Sequence, residues 1–147
     1  THTHPTGYLA AGMLAAIIRH QMDGIEIDES IEKSTDILTG YRGHEETLFK
    51  VEQAIDLAKG EIGSLDAVET LGQGWIAEEA LGIGIYAALK GENYIEVIQM
   101  AANHSGDSDS TASIAGQIYG AWKGIEEIPQ EWTEALDVRN VLAQLSY

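Results

Sequence analysis

The feature that most restricts the fold of this sequence is a strongly apolar segment at residues 75–89. Its apolar residues recur at helical spacing and cover more than one side of the predicted helix. They are Ile76, Ala80, Leu81, Ile83, Ile85 and Ala87. A helix that is apolar on several sides needs neighbours on all of them. We therefore expect this helix at the centre of the fold, with other helices packed around it.

Segments with helical spacing lie on both sides of the apolar segment. The spacing predicts helices over residues 5–22, 31–39, 45–59, 64–71, 94–102 and 112–122, and a last helix that begins at Pro129, with Trp132, Leu136, Leu142 and Leu145 as its anchors. Candidate N-caps are Asp28 or Ser30, Ser64 and Asn93. No segment shows strand alternation bounded by hairpin turns. We predict an all-α fold of about seven helices.

Charge and length exclude several classes of protein. The 147 residues suffice for one core, and the net charge of −16 makes nucleic-acid binding through a basic patch unfavourable. An anionic ligand would be repelled too, unless bound cations reverse the local charge, although an acidic surface also serves solubility alone. No apolar run approaches the roughly 20 residues of a membrane span. The absence of cysteine is compatible with the cytosol, and we expect a cytoplasmic protein.

The chain begins without methionine, and residues 1–5 (THTHP) resemble the interior of a site. A fragment of a longer protein is therefore one interpretation of this sequence.

Residues 103–111 (NHSGDSDST) concentrate oxygen ligands in a turn that opens a helix. Asp107, Asp109 and Ser110 lie within one helical turn, and hard cations such as Mg²⁺ and Mn²⁺ prefer carboxylate and hydroxyl oxygens. The alternative is structural, because Asp and Ser also cap helix N-termini and favour the helix dipole. Spacing alone leaves both interpretations open.

Two known patterns do not fit this motif. An EF-hand would need glycine at Ala112 and glutamate at Ile118. The D-x-D-x-T letters of aspartyl phosphatases are present, but that nucleophile should follow a buried strand, and residues 99–104 are polar and helical instead.

Two further stretches carry chemistry. His2 and His4 precede a helix, where they are candidates for metal ligands, for donors to an anion beside the helix N-terminus, or for solvated side chains near a chain end. Trp75 follows a flexible Gly-Gln-Gly break and could either present its ring to a ligand or pack in the core. His20 and His44 receive no functional role.

These pieces, in this order, resemble the second half of the ADP-ribosylglycohydrolase family. The matching stretches are residues 1–8 (THTHPTGY), 74–81 (GWIAEEAL) and 104–116 (HSGDSDSTASIAG), with Pro129 and Trp132 similar to residues near the end of the family. The resemblance spans essentially the whole chain. With it, the metal interpretation of Asp107 and Asp109 outweighs capping.

The resemblance implies an all-α hydrolase with two Mg²⁺ or Mn²⁺ ions, which releases ADP-ribose from a modified side chain, typically arginine. Asp107, Asp109 and Ser110 would be metal ligands, with Asp109 bridging both ions and both aspartates in the catalytic centre. His2 would contact ADP-ribose near its phosphates, and Trp75 stands where family members carry an aromatic residue that stacks on adenine.

One departure from the family is large. The other metal ligands of the family, a hydroxyl-Asp-Asp run and an acidic residue, belong to an N-terminal half, and no Thr-Asp-Asp or Ser-Asp-Asp occurs in this sequence. The resemblance therefore implies that residues 1–147 are the C-terminal portion of a single longer domain, so that the fold is incomplete. We expect the chain to supply half of the site and to be inactive alone, with the missing half or another chain as its partner. The alternative is a relative that binds ADP-ribose or a protein without turnover.

Overall fold

The computed structural model describes residues 3–145, with side chains through residue 144. Within that range it contains nine α-helices, one short 3-10 helix and no strand. The helices are α1 (Pro5–Met22), α2 (Ile27–Thr39), α3 (Glu45–Lys59), α4 (Ser64–Leu71), α5 (Ala77–Lys90), α6 (Tyr94–Ala102), α7 (Ser108–Lys123), α8 (Gln130–Glu134) and α9 (Arg139–Leu145). The predicted all-α class is confirmed, with nine helices in that range against about seven expected. None of the described helices is long and apolar enough to cross a membrane.

Local signals place most of the helix ends. Pro5 occupies the first turn of α1, where its missing N–H costs nothing, and Asn93 caps α6 by accepting the Glu96 N–H at 3.0 Å. The start of α2 differs from the prediction, because its N-cap is Glu26 and neither Asp28 nor Ser30 caps it. Ser64 is likewise the first residue of α4 and Gly63 its N-cap. Side-chain capping was therefore a good guide at one of these three helices.

The apolar helix α5 lies at the centre, as the sequence predicts. It packs against α1, α3, α6 and α7. Its residues 80–88 are all buried, and Ile83 and Ile85 have no exposed surface. Each such side chain contributes about 1.5–3 kcal/mol relative to an exposed one. The packing of α5 on α7 also sets the position of the two loops that precede these helices.

The prediction of one continuous helix after Pro129 is wrong. The segment forms the short helices α8 and α9, separated by a turn over residues 135–138. Its expected anchors are not buried, since Trp132, Leu136 and Leu142 are 41%, 48% and 50% exposed, and the side chain of Leu145 lies outside the described part of the chain. Trp132 contacts Tyr94 edge to face, with the ring centroids 6.1 Å apart. Without a buried apolar face, the segment lacks the packing that keeps a long helix continuous.

Candidate functional site

The oxygen-rich motif forms the turn between α6 and α7. α7 begins at Ser108, four residues before the predicted start of this helix. Asp107 is its N-cap residue, and Asp109 and Ser110 lie in its first turn. Asp109 is exposed, while Asp107 and Ser110 are half-buried. The structure therefore brings the two carboxylates and the hydroxyl to the N-terminal end of one helix, as the spacing predicts.

A second loop, residues 72–76, packs against this motif. The Asp107 N–H donates to the Gln73 carbonyl oxygen at 2.7 Å. A Cβ atom at Gly106 would overlap that same carbonyl group. Gly74 has a φ of +76°, and a Cβ there would lie 2.6 Å from the Thr111 methyl group. Two glycines thus permit a backbone contact that any side chain would prevent.

Two glutamates outside the motif fix both loops by accepting hydrogen bonds. Glu79 Oε2 accepts the Gln73 and Gly74 N–H groups at 3.1 and 3.2 Å. Glu69 accepts the Ser105 N–H and hydroxyl, each at 3.2 Å. Sequence reasoning missed Gln73, Glu69 and Glu79 as supporting residues. The glycines on either side of Gln73 were the available signal of a close backbone approach.

Thr111, which is buried, and the half-buried His104 form a small hydrogen-bond network at the acidic turn, residues 103–111. The Thr111 hydroxyl donates to the Ala101 carbonyl oxygen at 2.6 Å, which ties the end of α6 to the start of α7. His104 Nδ1 accepts the Gly106 N–H at 3.1 Å, so Nε2 is left to donate to the Thr111 hydroxyl at 2.9 Å. Both side chains therefore position the turn.

The two carboxylates influence each other electrostatically. Hydrogen bonding with the Asp109 carboxyl, and next with the Ser110 hydroxyl, lowers the pKa of Asp107 below its ordinary value, while slight desolvation opposes the shift. Asp107 makes no capping hydrogen bond through its side chain, although it occupies the N-cap position. An ionised carboxylate beside a second one and a hydroxyl is a donor set suited to a hard cation.

Trp75 lies in the loop before α5 and not in the core. It is 66% exposed, and its indole N–H donates to the Gln73 side-chain oxygen at 3.2 Å. The core-packing alternative for Trp75 is therefore wrong. Gln73 forms hydrogen bonds with both Trp75 and Asp107. The structure therefore places the exposed ring and the acidic turn on either side of one residue.

The two histidines at the start of the chain are only partly described. His2 lies outside the described residues. His4 Nδ1 lies 3.0 Å from the Thr6 hydroxyl, and its Nε2 lies 3.9 Å from a Glu46 oxygen. Within residues 3–145, no group of three His, Cys, Asp or Glu side chains is arranged to hold a metal ion. Asp107 and Asp109 are thus two candidate ligands without a third side chain of these types beside them in the described part.

Comparison with known proteins gives consistent matches. A family model described as ADP-ribosylglycohydrolase matches residues 1–146. The ADP-ribosylarginine hydrolase Tri1 of Pseudomonas putida is 38% identical over 56 residues, which are 38% of this chain and 15% of that protein. The ADP-ribosylhydrolase ARH3 of Mus musculus is 26% identical over 98% of this chain and 47% of its own length.

A third relative is more distant but matches almost the whole chain. The ADP-ribosyl-(dinitrogen reductase) glycohydrolase of Rhodospirillum rubrum is 20% identical over 95% of this chain and 40% of that protein. The chain thus spans less than half the length of these curated relatives. No solved structure matches it significantly.

Proposed function

The chain belongs to the ADP-ribosylglycohydrolase family, and from this premise we propose that it forms the C-terminal portion of a single hydrolase domain that releases ADP-ribose from modified protein side chains. The modified residue is arginine in this proposal, and the chain supplies half of a site for two Mg²⁺ or Mn²⁺ ions. The observation that carries it is the placement of Asp107, Asp109 and Ser110 in one turn beside the exposed ring of Trp75.

The donor set fits the proposed ions. Asp107 and Asp109 form no salt bridge with a described basic side chain, so both carboxylates remain available as ligands. Asp107 is ionised at neutral pH, and its lowered pKa extends the ionised form to more acidic conditions. Bound Mg²⁺ or Mn²⁺ would offset the repulsion between these carboxylates and a diphosphate and would lower the pKa of an attacking water.

The remaining residues have roles in binding. Trp75 stacks on the adenine ring, for which its exposure and its fixed indole N–H are suitable. His2, which precedes α1 in the sequence, donates to the phosphates in this proposal. Asp107 and Asp109 would hold the ions, and the ions would activate a water for attack at the anomeric carbon of the ribose. The aspartates count as catalytic residues in this proposal because they would bind the catalytic ions directly.

The proposed partner is the part of the domain that the chain does not contain, or another chain that replaces it. A groove of about 260 Å³ between α1 and α2 supports a partner, because it is lined mainly by apolar side chains. Tyr8, Ile37 and Tyr41 on its rim are 52%, 48% and 57% exposed. Contiguous exposed apolar surface is a common feature of protein interaction sites.

The test is release of ADP-ribose from arginine-modified protein in Mg²⁺ by the gene product that carries this chain. Asp107→Asn and Asp109→Asn should each lower kcat by about 10²-fold or more, because the ions lose a charged ligand. Asp56→Asn, on the exposed face of α3, is the matched control and should leave the rate unchanged. Full activity of the double Asp107→Asn, Asp109→Asn variant would show that the metal role is wrong.

The alternative is a relative that binds ADP-ribose without turnover. It draws support from the missing third metal-binding side chain in the described part of the chain. Calorimetry distinguishes the two: heat from ADP-ribose binding, without any hydrolysis by the gene product, favours the binding protein.

A further inference from the structure

A second group of carboxylates lies where the N-terminal ends of α3 and α5 meet. A cavity of about 360 Å³ there is lined by Glu45, Glu46, Phe49, Lys50 and Glu78. None of these residues belongs to the acidic turn at 103–111 or to the loop that carries Trp75. We call this cavity the α3–α5 cavity.

Glu78 is the buried residue of the α3–α5 cavity. It is 7% exposed, and its Oε2 has no hydrogen-bond partner within the described residues. A buried carboxylate oxygen without a donor is unfavourable, because it loses water and gains nothing in exchange. Glu45 and Glu46, by contrast, are exposed at the start of α3. An unpartnered acceptor recessed beside two exposed carboxylates indicates a ligand that carries donors.

Lys50 does not satisfy these carboxylates. Its ammonium group donates to the Leu71 carbonyl oxygen at 2.6 Å and to Gln53 Oε1 at 3.4 Å. Among the described ion pairs within 4 Å, none joins Lys50 to a glutamate. Three carboxylates outweigh this ammonium and the partial positive charge, about half a unit, at each of the two helix N-termini. His4, whose Nε2 lies 3.9 Å from a Glu46 oxygen, adds positive charge only when it is protonated. The cavity therefore attracts a cation.

The geometry disfavours a metal ion and favours an organic cation. Within the described part of the chain, Glu45, Glu46 and Glu78 do not form a group of three metal ligands. A guanidinium group is planar, carries five N–H donors and can bridge separated carboxylates. Phe49, 60% exposed on the same wall, offers an aromatic face on which such a plane can stack.

We propose that the α3–α5 cavity binds the guanidinium group of an arginine side chain presented by a partner protein. Glu78 accepts from the inserted end of the group, Glu45 and Glu46 provide charge at the rim, and Phe49 covers one face. The net charge of −16, like the local charge of the cavity, favours association with a basic partner. The proposal is independent of hydrolysis, because it uses none of the residues assigned to metal or ADP-ribose.

The test is an NMR titration of the gene product that carries this chain with N-acetyl-arginine amide, without metal or ADP-ribose. Amide signals at the starts of α3 and α5 should shift. N-acetyl-citrulline amide has the same shape without the charge and should bind about tenfold or more weakly, because the charge-assisted hydrogen bonds are lost. Glu78→Gln should weaken arginine amide binding to a similar extent, whereas Glu52→Gln, exposed on α3, should leave it unchanged.

Two results would overturn the proposal. One is equal binding of the arginine and citrulline amides, and the other is arginine amide binding that Glu78→Gln leaves intact. If Glu78→Gln fails to fold, the double variant Glu45→Gln, Glu46→Gln decides, since both side chains are exposed and their loss should still weaken binding several-fold. Shifts confined to the acidic turn would mean that the cation binds at Asp107 and Asp109, and this too would contradict the α3–α5 site.

Discussion

The backbone of Gly106 runs directly against the carbonyl group of Gln73, and a Cβ atom at this position would overlap it. Gly106→Ala must therefore push the two loops apart. We expect it to lower the free energy of unfolding by about 1–3 kcal/mol, the usual range for overpacked sites. Urea denaturation measures this difference.

The control for Gly106→Ala is Gly12→Ala, in the middle of α1. A Cβ at Gly12 meets nothing within 4 Å, so this change should be neutral or raise the free energy of unfolding by up to about 1 kcal/mol. Equal destabilisation by both substitutions would contradict the role of Gly106 as a contact point between loops.

Asp107 allows a prediction about pH. Its lowered pKa means that folding favours the ionised carboxylate, so the stabilisation is present above the unfolded pKa of about 3.9 and is lost as pH falls through the folded pKa. Carboxyl ¹³C NMR should show Asp107 titrating below that value. Ser110→Ala should raise the pKa of Asp107, whereas Ser113→Ala, one turn later, should leave it in place. An Asp107 that titrates at or above 3.9, roughly the value of an unfolded chain, would refute this account.

At the scale of elements, core mutations should lower the free energy of unfolding most when they fall in α5. Ile83 has no exposed surface, and Ile83→Ala should lower the free energy of unfolding by about 2–5 kcal/mol because it leaves a cavity. The control is Ile125, which follows α7 and is 68% exposed. Ile125→Ala should change the free energy of unfolding by less than about 0.5 kcal/mol. Thermal or urea unfolding compares the two. A small loss at Ile83 would mean that α5 is not the centre of the core.

The sequence predicts the elements better than their ends. The apolar pattern predicted the central position of α5 because a buried helix has apolar residues on all of its faces. The start of α2 was misplaced because Glu26 caps it without a side-chain hydrogen bond. The helix after Pro129 was predicted as one element because its spacing is helical, but spacing does not show whether a buried partner exists for Leu136 or Leu142.

The site was predictable only in its local part. Asp107, Asp109 and Ser110 are close in sequence, so their convergence follows from a helix start. Glu69 and Gln73, by contrast, form hydrogen bonds with residues of the acidic turn that are distant in the sequence. No local pattern specifies these contacts. The placement of Glu78 in a cavity is likewise a tertiary result, since its sequence position shows only an acidic residue in the first turn of a helix.

At the scale of the whole molecule, a net charge of −16 implies self-repulsion in the compact state. Raising sodium chloride from low to physiological ionic strength should therefore raise the midpoint of thermal unfolding, because screening shortens the range of that repulsion to about 8 Å. Calorimetry measures the midpoint. Choline chloride at the same concentration should have the same effect, and a gain seen with sodium alone would indicate a specific ion site instead.

Gln73 has one more consequence for how ligands would influence each other. Its carbonyl oxygen accepts from the Asp107 N–H and its side-chain oxygen accepts from the Trp75 indole N–H, so this residue links the two groups. A ligand that orders the ring through this link also restrains the backbone at Asp107, so a second ligand has less ordering left to do. Cation and nucleotide should therefore bind cooperatively, and each must raise the affinity for the other by the same factor.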